Sequence, residues 1–166
     1  MIICDSREKK NSHILNYFDK NKIPYKVQKM AVADYMIEGK GQLVIDRKQN
    51  LDEVCSNLTY KGKTANENGG KKIPSDVARF WREIRLAHDN GIKVIVLVEH
   101  GSNVRKLADV AMWNSTKSRM SGRKLLDEMD RVSMAYGVEW EFCTKAETPR
   151  KILEILGYRG EENETI

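Results

Sequence analysis

The sequence predicts an α/β fold in which a central mixed β-sheet is flanked by helices on both faces. The most apolar run is residues 93–99 (KVIVLVE), and its near-continuous Val, Ile and Leu content is typical of a central strand covered on both faces. Other strand-like runs are interspersed with amphipathic helical patterns, as in layered sheet-and-helix domains. The 166 residues suit one core, with a single domain expected over residues 1–157 and a polar tail over 158–166.

The first half of the chain contains most of the predicted strands. Continuous or alternating apolar residues indicate strands, and apolar residues three or four positions apart indicate helices. Ser12 can cap the first helix, Pro24 follows its end, and the turn at 38–41 joins the third and fourth strands as a hairpin. The predicted elements are a strand at 1–4, a helix at 12–21, strands at 25–30, 35–37 and 43–45, and a short helix at 51–58.

The second half is predicted to alternate helices with strands. Ser75 or Asp76 can cap the helix that Gly91 is well placed to end. Thr148 can cap the last helix, with Pro149 at its first position. Residues 59–74 are rich in Gly and Lys and predict a mobile basic loop. The predicted elements are a helix from 75 or 76 to 90, a strand at 93–99, a short helix at 102–110, a helix at 122–135, a strand at 138–143 and a helix at 148–156.

Composition narrows the function classes. The net charge of +5 and pI of about 9.0 fit nucleic-acid binding without establishing it. No apolar run approaches the roughly 20 residues that span a bilayer, and the charged start does not resemble a signal peptide, so no membrane partner is expected. We expect an intracellular protein, cytoplasmic in a bacterial or phage-infected host and nuclear in a eukaryote. The scattered cysteines predict reduced core thiols, and the three histidines lack metal-ligand spacing.

Two carboxylates and one ammonium group are predicted to converge beside the hairpin. Asp34 opens the third strand, and Asp46 and Lys48 end the fourth, on the same face because side chains alternate along a strand. Mg²⁺ binds one or two carboxylates together with phosphate oxygens and waters. Lys48 could orient an attacking water or stabilise developing negative charge. The spacing alone is common, however, and by itself favours a strand that ends in solvated charges.

The acids after the first strand add to this pattern. If the first strand neighbours the hairpin, Asp5 and Glu8 join Asp34 and Asp46 at one edge of the sheet. Carboxylates placed so close repel one another, and a metal ion or another cation relieves that repulsion. This context shifts the interpretation from a solvated strand end towards a metal site.

Three segments, DSRE at residues 5–8, ADY at 33–35 and VIDRKQNLD at 44–52, together resemble the nuclease domain of the xeroderma pigmentosum group F (XPF) family. The resemblance implies a restriction-endonuclease-like PD-(D/E)XK fold and a structure-specific endonuclease. The family pattern is Gly-Asp, a gap, then Glu-Arg-Lys, three residues and Asp. Here Ala33 replaces the glycine, and Asp46 replaces the glutamate. The side chain of aspartate is one methylene shorter than that of glutamate, so this replacement can shift metal geometry or preference.

The resemblance covers residues 1–100 most strongly. The helix-hairpin-helix domain that usually follows in cellular members is not in this sequence, which is the arrangement expected of a compact phage or mobile-element version. The implied cofactor is Mg²⁺ or Mn²⁺, and the implied partner is DNA with branches or single-strand/double-strand junctions. A homodimer is a candidate assembly.

The resemblance also implies residue roles. Asp34, Asp46 and Lys48 form the catalytic set with Glu8, and Asp34, Asp46 and Asp5 are the metal ligands. Arg47 contacts a phosphate of the DNA, while Arg7 and Asp52 support the site. The other expected DNA contacts are Arg79 and the loop lysines Lys61, Lys63, Lys71 and Lys72.

Structural alternatives stay open for several of these residues. Asp52 could simply favour a helix start through the helix dipole. Arg7 could form a salt bridge within the acidic cluster, and Arg79 could pair with Glu83 on a helix surface. The four loop lysines fit a solvated loop as well as they fit a DNA backbone.

The sequence therefore predicts a metal-dependent DNA endonuclease that hydrolyses phosphodiester bonds in branched, flapped or junction DNA. A catalytically inactive nuclease-fold module, which holds DNA or pairs with an active partner, is the first alternative. The presence of Asp34, Asp46 and Lys48 favours the enzyme, because a degenerate site need not keep all three. A dimeric Holliday-junction resolvase is the second alternative, which shares the chemistry but requires a symmetric dimer.

Overall fold

The computed structural model describes residues 1–60, 66–67 and 69–160. The strands over these ranges are β1 (Ile2–Asp5), β2 (Tyr25–Gln28), β3 (Tyr35–Ile37), β4 (Leu43–Lys48), β5 (Lys93–Glu99) and β6 (Glu139–Cys143). The helices are α1 (Ser12–Lys20), α2 (Leu51–Thr59), α3 (Ser75–Asp89), α4 (Gly122–Tyr136) and α5 (Thr148–Leu156), with a 3-10 helix at Leu107–Met112. No helix in the described ranges is long and apolar enough to cross a membrane.

The strands form one mixed sheet in the order β2-β1-β3-β4-β5-β6. β1 pairs with β2 in parallel and with β3 antiparallel, and β3 and β4 form the predicted hairpin with Tyr35 opposite Ile45. β5 lies between β4 and β6 and runs parallel to both. The predicted mixed sheet with a buried central strand is therefore confirmed, and β1 does neighbour the hairpin.

Helices cover both faces of the sheet, as predicted. One apolar cluster joins α2, α3 and α4 to alternate strand residues that include Val44, Val96 and Val98. The other apolar cluster joins α1 and α5 to the intervening strand residues, which face the opposite side of the sheet and include Ile45 and Leu97. Successive residues of β4 therefore enter different halves of the core, which decides where its three charged residues go.

Three predicted elements have the wrong extent. The strand expected at 43–45 continues through the charged residues to Lys48. The helix expected at 102–110 is a shorter 3-10 helix at Leu107–Met112, because Asp109 accepts hydrogen bonds from the amides of Arg105 and Lys106 and fixes the start there. The strand expected at 25–30 ends at Gln28. The Met30 amide instead donates to Asp5 Oδ1 at 3.1 Å, so the chain has left the sheet by that point.

The predicted helix caps lie inside the helices, one or two residues after the observed caps. The residues preceding α1, α3 and α5 are Asn11, Pro74 and Glu147, in place of Ser12, Ser75 or Asp76, and Thr148. Thr148 is instead fully buried inside the first turn of α5, where its hydroxyl donates to Glu99 Oε2 at 2.7 Å. A side chain with the sequence pattern of a cap thus serves a buried contact between α5 and β5.

The three cysteines are buried and unpaired, which confirms the prediction of core thiols. Burial raises the pKa of the Cys55 and Cys143 thiols to about 11. Both groups are therefore protonated at neutral pH and poorly reactive.

Gly122, the first residue of α4, is expected to tolerate no larger side chain. A Cβ atom there would lie 1.9 Å from the Trp113 carbonyl oxygen and 2.3 Å from that of Val110. We expect Gly122→Ala to lower the free energy of unfolding by about 1–3 kcal/mol, because backbone atoms must move apart. Thermal unfolding checks this, with Gly160→Ala as the control, since a Cβ atom there would have no non-adjacent described atom within 4 Å. Equal melting temperatures would contradict the expected clash.

Candidate active site

Asp34 is fixed where β1, β3 and β4 meet. Its amide donates to the Ile45 carbonyl at 2.9 Å, and its own carbonyl accepts the Asp5 amide at 2.8 Å. Its carboxylate Oδ2 accepts the Arg47 amide at 2.8 Å. Asp34 thus continues the sheet through its backbone and holds its side chain against the end of β4.

Asp46 and Lys48 lie together on the face covered by α2 and α3. Lys48 Nζ is 3.0 Å from Asp46 Oδ1 and 4.7 Å from the centre of the Phe80 ring. Burial lowers the pKa of Lys48, but the carboxylates of Asp46, Glu53 and Asp34 outweigh it, so that the pKa is raised. Lys48 is therefore a permanent cation at neutral pH, suited to stabilising negative charge rather than to accepting a proton.

Glu8 brings a further carboxyl group to Asp34. Burial, followed by the charges of Glu8 and Asp46, raises the pKa of Asp34 well above its ordinary value. Burial also raises the pKa of Glu8, although Arg47 and a hydrogen bond with Asp34 act against it. The two carboxyl groups thus favour a shared proton, or another cation, over two bare charges.

Asp34 and Asp46 are the residues whose chemistry fits Mg²⁺ or Mn²⁺. Within the described ranges, no group of three or more His, Cys, Asp or Glu side chains is placed to hold a metal ion together. A two-carboxylate set still suits Mg²⁺, which keeps waters and binds phosphate oxygens at its other positions. The unfavourable charge at Asp34 is the observation that supports this fit, since a bound cation would relieve it.

Arg47 points to the opposite face of the sheet and is enclosed there. Its guanidinium donates to Glu8 and to the carbonyls of Lys9 and Lys10, and its Nη1 lies 3.3 Å from Glu99 Oε2. Only 1% of its side chain is exposed. This geometry favours a structural role for Arg47, in which it holds Glu8 in place. The predicted contact of Arg47 with a DNA phosphate stays a prediction.

Glu99 was not among the predicted site residues. Its Oε2 also accepts from Thr148 at 2.7 Å and contacts His13 Nε2 at 2.8 Å, which links β5 to α1 and α5. The one available signal was the strand that ends in an acid at residue 99, because β5 runs parallel to β4 and ends beside it. The partners of that acid could not be read from the sequence.

Replacing Arg47 with Met is expected to cost about 3–5 kcal/mol of stability, because Glu8 and Glu99 would stay buried without their cation. Urea denaturation measures the change. Arg105→Met is the matched control, since Arg105 pairs with Glu147 on the surface and such pairs contribute little. Similar midpoints for the two variants would contradict the structural role of Arg47.

Three further predicted site residues, one expected metal ligand and two expected supporting residues, already have partners. Arg7 Nε donates to Asp5 Oδ2 at 2.8 Å, and Met30 occupies the other Asp5 oxygen, so the salt-bridge interpretation of Arg7 describes its contact. The geometry gives Asp5 a structural part, and its role as a metal ligand stays a prediction. Asp52 lies in the first turn of α2 and accepts a hydrogen bond from Ser115.

Of the predicted DNA contacts other than Arg47, three lie among the described residues. Arg79 is 38% exposed and its Nε is 3.9 Å from Glu83 Oε1, the pair expected on a helix surface. Lys71 and Lys72 are exposed. Lys61 and Lys63 lie outside the described residues. The DNA-binding role of all five remains a prediction.

Comparison with known proteins supports the fold. A model of the ERCC4 domain family matches residues 4–155. The structure is similar to XPF from Aeropyrum pernix, with a TM-score of 0.63 and 15% identity over 93% of this chain. XPF from Aeropyrum pernix in complex with DNA gives the same values over 94% of this chain. This chain spans 62% of the length of those two solved chains, and no curated protein matches it significantly. The likeness confirms the predicted restriction-endonuclease-like fold.

Proposed function

The chain belongs to the ERCC4 domain family, and from that premise we propose that it is a metal-dependent DNA endonuclease that hydrolyses phosphodiester bonds. One observation carries the proposal. Lys48 pairs with Asp46 beside the buried Phe80. The charge of Asp34 interacts with both, and its charged form is disfavoured by burial and by the neighbouring carboxylates, a disadvantage that a bound cation would relieve. A purely structural strand end has no need of such an arrangement.

The chain's residues have distinct parts in the proposed reaction. Asp34 and Asp46 would hold the divalent ion, which supplies charge neutralisation and a more acidic bound water when present. Lys48 would donate hydrogen bonds to the phosphate oxygens as negative charge develops, since it is a fixed ammonium. Glu8 would keep the Asp34 carboxyl oriented through the hydrogen bond between the two groups, and water is the nucleophile.

Branched, flapped or junction DNA is the proposed substrate class. The solved structure of XPF from Aeropyrum pernix in complex with DNA supports DNA as the ligand. The formal net charge of +5 is compatible with it. The finer proposal, that junctions between single and double strands are preferred, comes from the resemblance of the three N-terminal motifs to the XPF family.

A panel of labelled substrates tests the proposal. Flaps, forks, four-way junctions and plain duplex are incubated with Mg²⁺, with Mn²⁺ and with a chelator, and products are mapped on both strands. We expect metal-dependent cuts near the branch in wild-type protein and none with Asp46→Asn, the matched control. Cleavage by Asp46→Asn, or cleavage in the presence of the chelator, would contradict the assignment as a metal-dependent endonuclease. Paired symmetric cuts in four-way junctions by a dimer would instead assign a resolvase.

A DNA-binding module without cleavage is the second candidate. The observation that favours it is the absence of a three-ligand group among the described side chains. Retained binding to branched DNA, with no cut across Mg²⁺ and Mn²⁺ concentrations, would favour this module. Heat release on titration with Mn²⁺, lost in Asp46→Asn, would favour the enzyme.

A further inference from the structure

The residue before Asp34 has an unfavourable backbone conformation. Ala33 has a φ angle of +61°, in the left-handed region that a residue with a Cβ atom rarely adopts. Its methyl group is buried, with 4% of the residue exposed. The turn that delivers Asp34 to the site therefore needs support from elsewhere in the molecule.

That support comes from Glu83 on α3. Its Oε2 accepts a hydrogen bond from the Ala33 amide at 3.0 Å, across 50 residues of sequence. Its Oε1 lies 3.2 Å from Arg7 Nη1. Arg7 in turn donates to Asp5 Oδ2 and to the Met30 carbonyl, both at 2.8 Å. The Glu83 carboxylate is thus held on one side by the end of β1 while it holds the turn on the other.

The position of this turn sets the direction of the Asp34 carboxylate. Asp34 follows Ala33 directly, and its amide joins the Ile45 carbonyl while its Oδ2 receives the Arg47 amide. Relaxation of Ala33 to an ordinary φ would rotate the next peptide and break both contacts. The Glu83 contact is therefore placed to act on Asp34 without touching it.

We propose that Glu83 is a positioning residue that keeps the strained Ala33 turn in place and so aims the Asp34 carboxylate. Its consequence for cleavage rests on the proposed nuclease function, whereas its consequence for the turn does not. Arg7 and Asp5 have an indirect part in the same arrangement, since Asp5 holds Arg7 and Arg7 holds Glu83 in position.

Four variants test the proposal. Glu83→Ala removes the acceptor, and Glu83→Gln keeps an oxygen that can accept the Ala33 amide. The double variant Ala33→Gly/Glu83→Ala removes the acceptor but supplies a residue that adopts a positive φ readily. Arg82→Ala is the control, because that side chain is exposed on the same helix.

Amide hydrogen exchange in metal-free protein is the first measurement. In Glu83→Ala we expect the Asp34 and Arg47 amides to exchange at least tenfold faster, with the Leu97 amide of β5 unchanged. Glu83→Gln and the double variant are expected to return both amides towards wild-type rates. Arg82→Ala is expected to change none of them.

Cleavage kinetics are the second measurement. Glu83→Ala is expected to lower kcat about 100-fold with KM for DNA little changed, as a small misplacement of a catalytic group does. The double variant is expected to recover at least tenfold of that loss. Unchanged exchange at Asp34 and Arg47 in Glu83→Ala, or a double variant as impaired as the single one, would overturn the proposal. If wild-type protein cuts no DNA, the nuclease assignment fails, and the exchange rates still decide the role of Glu83.

Discussion

Replacing Lys48 with Met is expected to reduce DNA cleavage about 1,000-fold while leaving DNA binding in metal-free buffer nearly unchanged. Met fills the space above the Phe80 ring, so the change removes the ammonium group and little else. The raised pKa of Lys48 means that the lost group is a cation throughout the neutral and mildly alkaline range. The loss is therefore expected at every pH from 6 to about 9, without a step that would mark a titrating base.

Single-turnover cleavage measures the chemical step, and fluorescence anisotropy of labelled DNA measures binding. Lys93→Met is the matched control, because Lys93 pairs with Glu139 on the surface. Cleavage within tenfold of wild type in the Lys48 variant would remove Lys48 from the catalytic set. A loss of binding equal to the loss of cleavage would assign it to DNA binding instead.

Replacing Asp34 with Asn is expected to abolish cleavage and at the same time to stabilise the metal-free protein. The amide oxygen of Asn can accept the Arg47 amide as Asp34 Oδ2 does, so the fold keeps that contact. The variant removes a carboxylate that is disfavoured by burial and by the neighbouring charges of Glu8 and Asp46. A gain of about 1 kcal/mol, or roughly 2–4 °C in Tm, is the size expected when a destabilised functional group is removed.

The gain should depend on pH in a defined direction. The pKa of Asp34 is higher in the folded than in the unfolded protein, so the folded state binds the proton more tightly. That contribution to stability is complete below the unfolded pKa of about 3.9 and is lost as pH rises through the folded value. The Asn variant has no such loss, and its advantage over wild type should be larger at pH 8 than at pH 4.5.

Thermal unfolding of both proteins at these two pH values, with and without Mg²⁺, tests this result. Mg²⁺ is expected to raise the Tm of wild type and to leave the Asn variant unchanged, because bound ligand stabilises the folded state by mass action. Asp46→Asn is the companion variant, since it also removes one carboxylate of the site but keeps the Asp34–Glu8 pair. An Asp34→Asn variant that kept its fold but was less stable than wild type at pH 8 would show that the Asp34 charge does not destabilise the folded protein.

The sequence was sufficient to predict the hairpin and the face shared by Asp46 and Lys48, because both follow from local rules. Strand alternation puts residues two apart on one face, and a Gly-containing turn between apolar runs predicts their pairing. The sequence did not determine that β1 lies beside the hairpin, and the predicted cluster of acids depended on that position. The pairing of β1 with β3 shows that the two are neighbours. These are the parts of the site in which short stretches of sequence determine the geometry.

The surroundings of the site could not be predicted in the same way. Arg47 meets Glu99 across 52 residues, and Ala33 meets Glu83 across 50. Such contacts depend on which strands are neighbours and how α3 lies on the sheet, and no periodicity encodes that. The positive φ of Ala33 has no signal in alanine itself, and only the glycine at this position of the family pattern points to it.

The distribution of these partners along the chain has a consequence for synthesis on the ribosome. Lys48 ends β4, but Phe80, Glu99 and Thr148 complete the surroundings of that strand only later. At about 5–20 residues per second, roughly 5–20 s separate the emergence of Lys48 from that of Thr148. During this interval Lys48 first lacks the Phe80 ring, Arg47 lacks its contact with Glu99, and Glu99 lacks the Thr148 hydroxyl. We expect a nascent chain, or a fragment from stalled translation, to be inert towards DNA, so that the capacity to cut arises only when the fold is nearly complete.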